Sequence, residues 1–235
     1  MIKLTNALGA EKILPLTMFF KRVPLEIEVP SQPLFGLDGD VVTGKPTLRP
    51  RQFVLDGRIY YPDKDRIERE LDSLLSLLMK PPIEVYRQHY HDRFLRAYPL
   101  GAPQDWIDEG AELALQIPMV APDPYWYGQE VEVVVTGTQT ITVDGTAPTH
   151  PLIVTTGPVS NLTVYNTLTG KDIVVNGATG IVEVDNDQFA VTVSDINRLD
   201  LVNESWLLYG WELLPGENQI TTNTPIAMTY RPRWY

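Results

Sequence analysis

From residue 159 to residue 235 the polar and apolar positions alternate in short bursts, with turn residues between them and no helical period anywhere. The bursts read VSNLTVYNTLTGKDIVVNG, VEVDNDQFAVTV and SWLLYGWELLPGENQITT, closing on AMTYRPRWY. The pattern begins upstream, so strands are predicted over 130–135, 138–143, 152–156, 162–166, 172–175, 182–185, 189–193, 219–222 and 226–231. Threonine and valine dominate these runs, as a half-exposed pleated surface favours. Glycine and proline punctuate them, and many short strands at this spacing predict an all-β sandwich. The stretch 199–211 gives no clear strand.

The first half is patterned differently. Residues 1–61 read as strands and loops. Residues 25–29 alternate as a half-buried strand, and Pro30, Pro33, Gly36, Gly39, Gly44, Pro46 and Pro50 then break the chain. A strand at 51–55 is followed by an Asp56-Gly57 turn and a further strand piece at 59–61. One helix is predicted over 63–79: Ile67, Leu71, Leu74, Leu75 and Leu78 fall on one face, Asp63 or Asp65 suits the N-terminal end, and Pro81-Pro82 ends it. Strands follow at 83–88, 93–99 and 111–118, with 89–92 as a turn and 102–106 as a loop. Strands around one helix make this an α+β domain. Ala121-Pro122-Asp123-Pro124 stiffens the chain and marks the boundary, giving an N-terminal domain over 1–121 and a C-terminal sandwich over 122–235.

Composition narrows the function. The 235 residues carry 30 Asp and Glu against 19 Lys and Arg, a formal net charge of -11. That balance argues against a surface that grips nucleic acid, because phosphate affinity comes mostly from Lys and Arg. It is compatible with DNA passing by, since an acidic wall repels DNA and lets it slide. With no cysteine, disulfides, thiol catalysis and cysteine-held zinc are excluded. The first thirty residues lack the layout of a signal peptide, and no apolar run reaches about 18 residues, so neither general secretion nor a transmembrane helix is expected.

Candidate chemistry is sparse. His89 and His91 at i, i+2 would share one face of a strand and could reach one metal ion, but Asp92 points elsewhere and no third ligand has workable spacing. An exposed hairpin turn is the simpler reading. His150 lies in a Pro-Thr-His-Pro loop with no visible partner. Asp185-Asn186-Asp187 offers oxygens for calcium but lacks the glycine and distal glutamate of a calcium loop, and reads as a hairpin turn. No phosphate loop, Gly-x-Ser-x-Gly elbow or His-Glu-x-x-His is present, and no carboxylate pair is marked out for glycoside hydrolysis. No catalytic, cofactor-binding or metal residue is assigned, and no cofactor is expected. Tyr125, Trp126, Tyr127, Trp206, Trp211, Trp234 and Tyr235 remain: exposed, they would stack on sugars in a carbohydrate-binding β-sandwich; otherwise they fill the core or an interface.

The order of features resembles the distal tail proteins (Dit) of long-tailed phages, the siphovirus-type tail component family. The resemblance runs over nearly the whole chain. It is carried by the Asp56-Gly57 turn, the Leu-rich helix 66–79 and the paired strands after it, and by Val120-Ala121-Pro122-Asp123-Pro124-Tyr125. In the second half it rests on Val164-Tyr165-Asn166-Thr167-Leu168-Thr169-Gly170-Lys171, Val184-Asp185, Leu214-Pro215-Gly216-Glu217-Asn218-Gln219-Ile220 and Tyr230-Arg231. The resemblance implies an N-terminal domain closing into a homohexameric ring, with a galectin-like sandwich at its periphery. It implies a non-enzymatic virion protein at the distal end of the tail, part of the baseplate used in host attachment. The ring would join the tail tube and the tape measure protein to the hub or lysin and the receptor-binding proteins. DNA would pass through a central channel, and assembly would take place in the host cytoplasm. Longer relatives carry inserted carbohydrate-binding modules, for which this chain is too short.

Overall fold

Strict alternation along Arg51–Tyr60 buries Arg51, Phe53, Leu55, Gly57 and Ile59 and turns Gln52, Arg58 and Tyr60 outward. A strand with one apolar face must be covered on that face. The computed structural model, which describes residues 2–15, 17–22, 26–33, 40–42, 47–60, 64–87, 90–101, 103–108 and 112–235, shows how. The chain is mostly β-strand with few helices and divides into two compact units, Met1–Trp126 and Tyr127–Tyr235.

In the first unit Arg51–Tyr60 pairs along its whole length with Glu112–Ala121 and, on its other side, with Met18–Arg22. The sheet continues through Tyr90–Pro99, Ile83–Arg87, Ile2–Thr5 and Glu11–Leu14. Tyr90–Pro99 joins the two halves: Phe94 to Ala97 pair with Ile83–Arg87, and Tyr98 and Pro99 with Glu112–Ala121. Lys64–Leu78 forms the helix. Ile67, Leu74, Leu77 and Leu78 are buried, whereas Leu71 and Leu75 are half-buried. Leu71 and Leu74 line a small gap together with Leu14, Ile59, Leu113 and Leu115, which places the helix on the apolar face of the sheet. Lys12 fastens it there, its Nζ donating to the Glu70 backbone oxygen (3.0 Å) and side-chain Oε2 (2.8 Å). That hydrogen bond holds the Glu70 carboxyl below its ordinary pKa.

Several expectations change. Asp56-Gly57 is not a turn but the middle of a continuous strand. Gly57 faces Met18 and Leu115 in register, and a Cβ there would overlap the Thr17 carbonyl oxygen and lie 2.6 Å from the Met18 Cα. The glycine serves close approach of two strands rather than reversal of the chain. Of the loop expected at 102–106, residues 104–106 belong instead to the strand Gln104–Asp108, paired from Gln104↔Gln116 to Asp108↔Glu112, and Ala102 lies outside the described residues. Of the strand expected at 25–29, Ile27–Glu28 pairs with Thr47–Leu48, and Ile27 and Val29 are exposed rather than half-buried; Leu25 lies outside the described residues. Of the expected turn at 89–92, His89 lies outside the described residues, and Tyr90, His91 and Asp92 belong to a strand.

The second unit holds two antiparallel sheets. One runs in the order Val131–Val135, Ile226–Tyr230, Leu152–Thr155, Val182–Asp185, Ala190–Val193 and Ile196–Asn197; the other runs Thr138–Val143, Gly216–Thr222, Val159–Asn166 and Lys171–Gly180. Val135, Ile153, Val184, Val191 and Met228 from the first, and Ile141, Leu162, Val164, Ile173 and Ile220 from the second, share one core with Trp206, Trp211 and Leu213. The region read as having no helical period does contain helix. Leu199–Leu201 makes a 3-10 turn and Glu204–Tyr209 a short α-helix. Six residues are too few to display a period, and a helix of that length is held by its tertiary ties rather than by propensity.

Gly57→Ala is expected to lower the stability of the first unit by about 1–3 kcal/mol through overpacking, whereas Gly101→Ala, with open space at its Cβ, should stay within about 0.5 kcal/mol. Thermal denaturation of both variants checks the difference.

Candidate functional site

The two stretches 164–171 and 214–220 meet through a pair of buried carboxamides. Asn166 and Asn218 are fully buried, and Asn166 Nδ2 donates to Asn218 Oδ1 (3.1 Å) and to the Glu212 carbonyl (3.2 Å). Asn218 closes its own turn: its Nδ2 donates to the Leu214 (2.7 Å) and Gly216 (3.1 Å) carbonyls, and its Oδ1 accepts from the Leu214 amide. Asn166 Oδ1 accepts the Leu168 amide and starts the other turn. A buried amide left unpaired is costly, so each residue requires the other turn to be formed.

A third carboxamide does the same for the helix Glu204–Tyr209. Asn186 is buried; its Nδ2 donates to the Pro151 carbonyl (2.7 Å), and its Oδ1 accepts the Trp206 indole N–H (2.7 Å). Asp185 Oδ1 accepts the Asp187 and Gln188 amides, both at 2.9 Å. The Asp185-Asn186-Asp187 turn therefore spends these oxygens on its own backbone and on Trp206, not on a cation.

A charged cluster surrounds His150, for which the sequence suggests no partner. Arg233, 5% exposed, donates to the Tyr127 hydroxyl (3.0 Å) and lies over that ring, 5.2 Å from its centroid. Its guanidinium is 3.3 Å from His150 Nδ1 and 3.6 Å from Asp187 Oδ1. His150 is 3.6 Å from Asp187 and 4.0 Å from Glu212, which Lys171 holds at 3.2 Å. Imidazole beside carboxylates is the material of general-base catalysis, in which the nucleophile is a protein group, a substrate group or water. The neighbouring hydroxyl, Thr149 Oγ1, donates to the Arg231 carbonyl (2.6 Å). Arg233 and Lys171 bring positive charge to the two carboxylates where a metal ion would bring its own. The cluster is a clasp for the segment Arg233–Trp234.

The aromatics are mostly consumed by packing. Trp126, Tyr127, Trp206 and Trp211 are buried, and Trp211 donates its indole N–H to the Lys171 carbonyl. Trp126 packs on Phe20 and beneath Arg51. None of these four offers a face to a sugar. Tyr235 is exposed.

Register creates a feature that the sequence pattern does not reveal. On the outward face of the first unit, Met18–Arg22 brings Phe19 opposite Asp56, two positions from Arg58 and four from Tyr60. Phe19 and Tyr60 are 61% and 62% exposed. With Thr17, Asp56, Arg58 and Gln116 they line a groove of about 610 Å³. Arg58 donates to Glu112 Oε1 at 2.7 Å, and this carboxylate raises the guanidinium pKa further.

Residues 144–234 match the family model described as the siphovirus-type tail component, C-terminal domain. The whole chain superposes on the Dit protein of phage SPP1, described as a paradigm of the hub adsorption apparatus of phages infecting Gram-positive bacteria. The TM-score is 0.73 at 17% identity, with all of both chains covered. A chain of the phage P2 baseplate, in its activated conformation with calcium, gives a TM-score of 0.56 at 8% identity, covering 98% of this chain and 97% of that one. No curated protein sequence matches. The resemblance to distal tail proteins is thus shown by family model over most of the second unit and by fold over the full length.

Trp206→Phe keeps an aromatic ring but removes the donor to the buried Asn186 Oδ1, so it should destabilise the second unit by about 1–3 kcal/mol. Urea denaturation followed by circular dichroism should show a lower midpoint at unchanged slope.

Proposed function

We propose that this chain is a structural protein of a phage tail tip, a distal tail protein that caps the tube and carries the host-attachment apparatus. The observation that carries the reading is the concurrence of the family match over residues 144–234 with full-length likeness to the SPP1 distal tail protein. In this reading the N-terminal α+β domain, residues 1–121, closes into a homohexameric ring around a channel for DNA. The galectin-like sandwich, residues 122–235, stands at the periphery. The ring joins the tube and tape measure proteins to the hub or lysin and to receptor-binding proteins. It acts as a non-enzymatic part of the virion after assembly in the host cytoplasm.

Two features support the ring. Rings arise when one surface meets a different surface on the next copy and the rotation closes. The outward sheet face of the first unit exposes Phe19 and Tyr60 around a groove, and large exposed apolar residues grouped at a groove mark contact sites. Among the described residues, Glu11–Leu14 also forms a sheet edge, and unpaired edges seek partners. A net charge of -11 suits a channel wall that does not hold DNA.

Size-exclusion chromatography with light scattering should give the mass of about six subunits, and electron micrographs should show rings. Phe19→Glu with Tyr60→Glu should reduce that mass to one subunit while leaving the circular dichroism spectrum unchanged. A wild-type chain that stays monomeric at high concentration and forms no ring with tail-tube protein would overturn the ring.

A further inference from the structure

The second unit carries an apolar knob that its own core does not use. The helix Glu204–Tyr209 turns Trp206 inward, and leaves Leu207 partly exposed and Leu208 and Tyr209 72% and 70% exposed. Phe189 extends the patch. Its ring packs on Trp206, 5.6 Å between centroids, and lies 3.2 Å from where a Cβ of Gly210 would stand, yet it is half exposed. Three large apolar side chains on one six-residue helix, with Phe189 beside them, stay at the surface and are not used by the unit's own core.

The helix is also held rigid. At its start Asn203 pairs with the Val174 backbone through both its own backbone N–H and its Oδ1, and its Nδ2 donates to Asp172 Oδ1. At its end Gly210, at φ 62, terminates it, and Lys171 Nζ donates to the Tyr209 carbonyl (3.0 Å). Trp206 is pinned by Asn186. A clamped helix loses little freedom when it binds, which is the condition for a strong docking site.

The charges beside the knob select its occupant. Glu204 lies on the helix, Asp172 at its start and Glu212 beyond its end, and Asp187 lies two positions before Phe189. Against these four stand Lys171, paired to Glu212, and the buried Arg233, beside Asp187. With Glu212 and Asp187 so paired, Glu204 and Asp172 leave the border net acidic, which repels an anionic lipid surface and favours a cationic partner. The geometry points to the knob formed by Phe189, Leu207, Leu208 and Tyr209 as a docking site for a protein segment that presents apolar side chains flanked by Lys and Arg. The inference rests on the second unit alone and holds whether or not the first closes a ring.

The test uses the full chain and two amphipathic helical peptides of equal length, one of leucine and lysine, the other of leucine and glutamate, followed by fluorescence anisotropy. The lysine peptide should bind wild type at least about tenfold more tightly than the Leu208→Ser/Tyr209→Ser variant, and the glutamate peptide should not bind. Glu204→Lys should weaken binding several-fold with the apolar side chains intact. Equal binding of the lysine peptide to wild type and the double variant would overturn the site, as would equal binding of both peptides. Loss of ring mass in the double variant would reassign the knob to contact between copies, and its loss of sedimentation with zwitterionic vesicles would reassign it to a membrane; either result overturns the proposal. A chain that is monomeric but binds the lysine peptide as expected supports the knob while removing the ring.

Discussion

The second unit depends on buried amide groups whose hydrogen bonds are made inside the protein. Asn166 and Asn218 satisfy one another and the backbone of both their turns, and Asn186 bridges the Pro151 carbonyl and the Trp206 indole. An apolar core alone would tolerate sliding of one sheet over the other, since dispersion and burial are not directional. A buried carboxamide does not, because losing its partner costs far more than making the bond returns. These three asparagines therefore fix the turns and the short helix at single positions on an otherwise permissive sandwich.

The first unit is organised by a contrast between faces. One face of its sheet takes Ile67, Leu74, Leu77 and Leu78 from the helix, and Lys12 ties that helix through Glu70. The opposite face exposes Phe19 and Tyr60. A sheet that is polar on its outer face needs nothing further; one bearing large aromatics beside a groove has surface to bury. The ring proposal draws its physical content from that asymmetry.

Much of the fold was legible because period-two alternation survives in short strands. The strands 138–143 and 182–185 appear with the expected bounds, and the helix was visible from Ile67, Leu74 and Leu78. What escaped depended on distant residues. Gly57 reads locally as a turn after Asp56, and only the Met18 backbone shows why glycine stands there. The helix Glu204–Tyr209 has no period of its own and exists through Asn203, Asn186 and Lys171. His150 gains Asp187, Glu212 and Arg233 from three other parts of the chain, and no spacing rule relates them. Leu77 was missed because a stripe drawn through Leu71 and Leu75 rotates the helix slightly away from the face it buries.

The clasp at Arg233 also sets an order in time. Its guanidinium reaches Tyr127, 106 positions earlier, so a contact at the start of the unit is completed by a residue made near its finish. Contacts this distant in sequence form late and slowly. Until Arg233 has been made, Tyr127, His150 and Asp187 lack the cation that joins them in the folded unit. The clasp cannot close before residue 233 is in place.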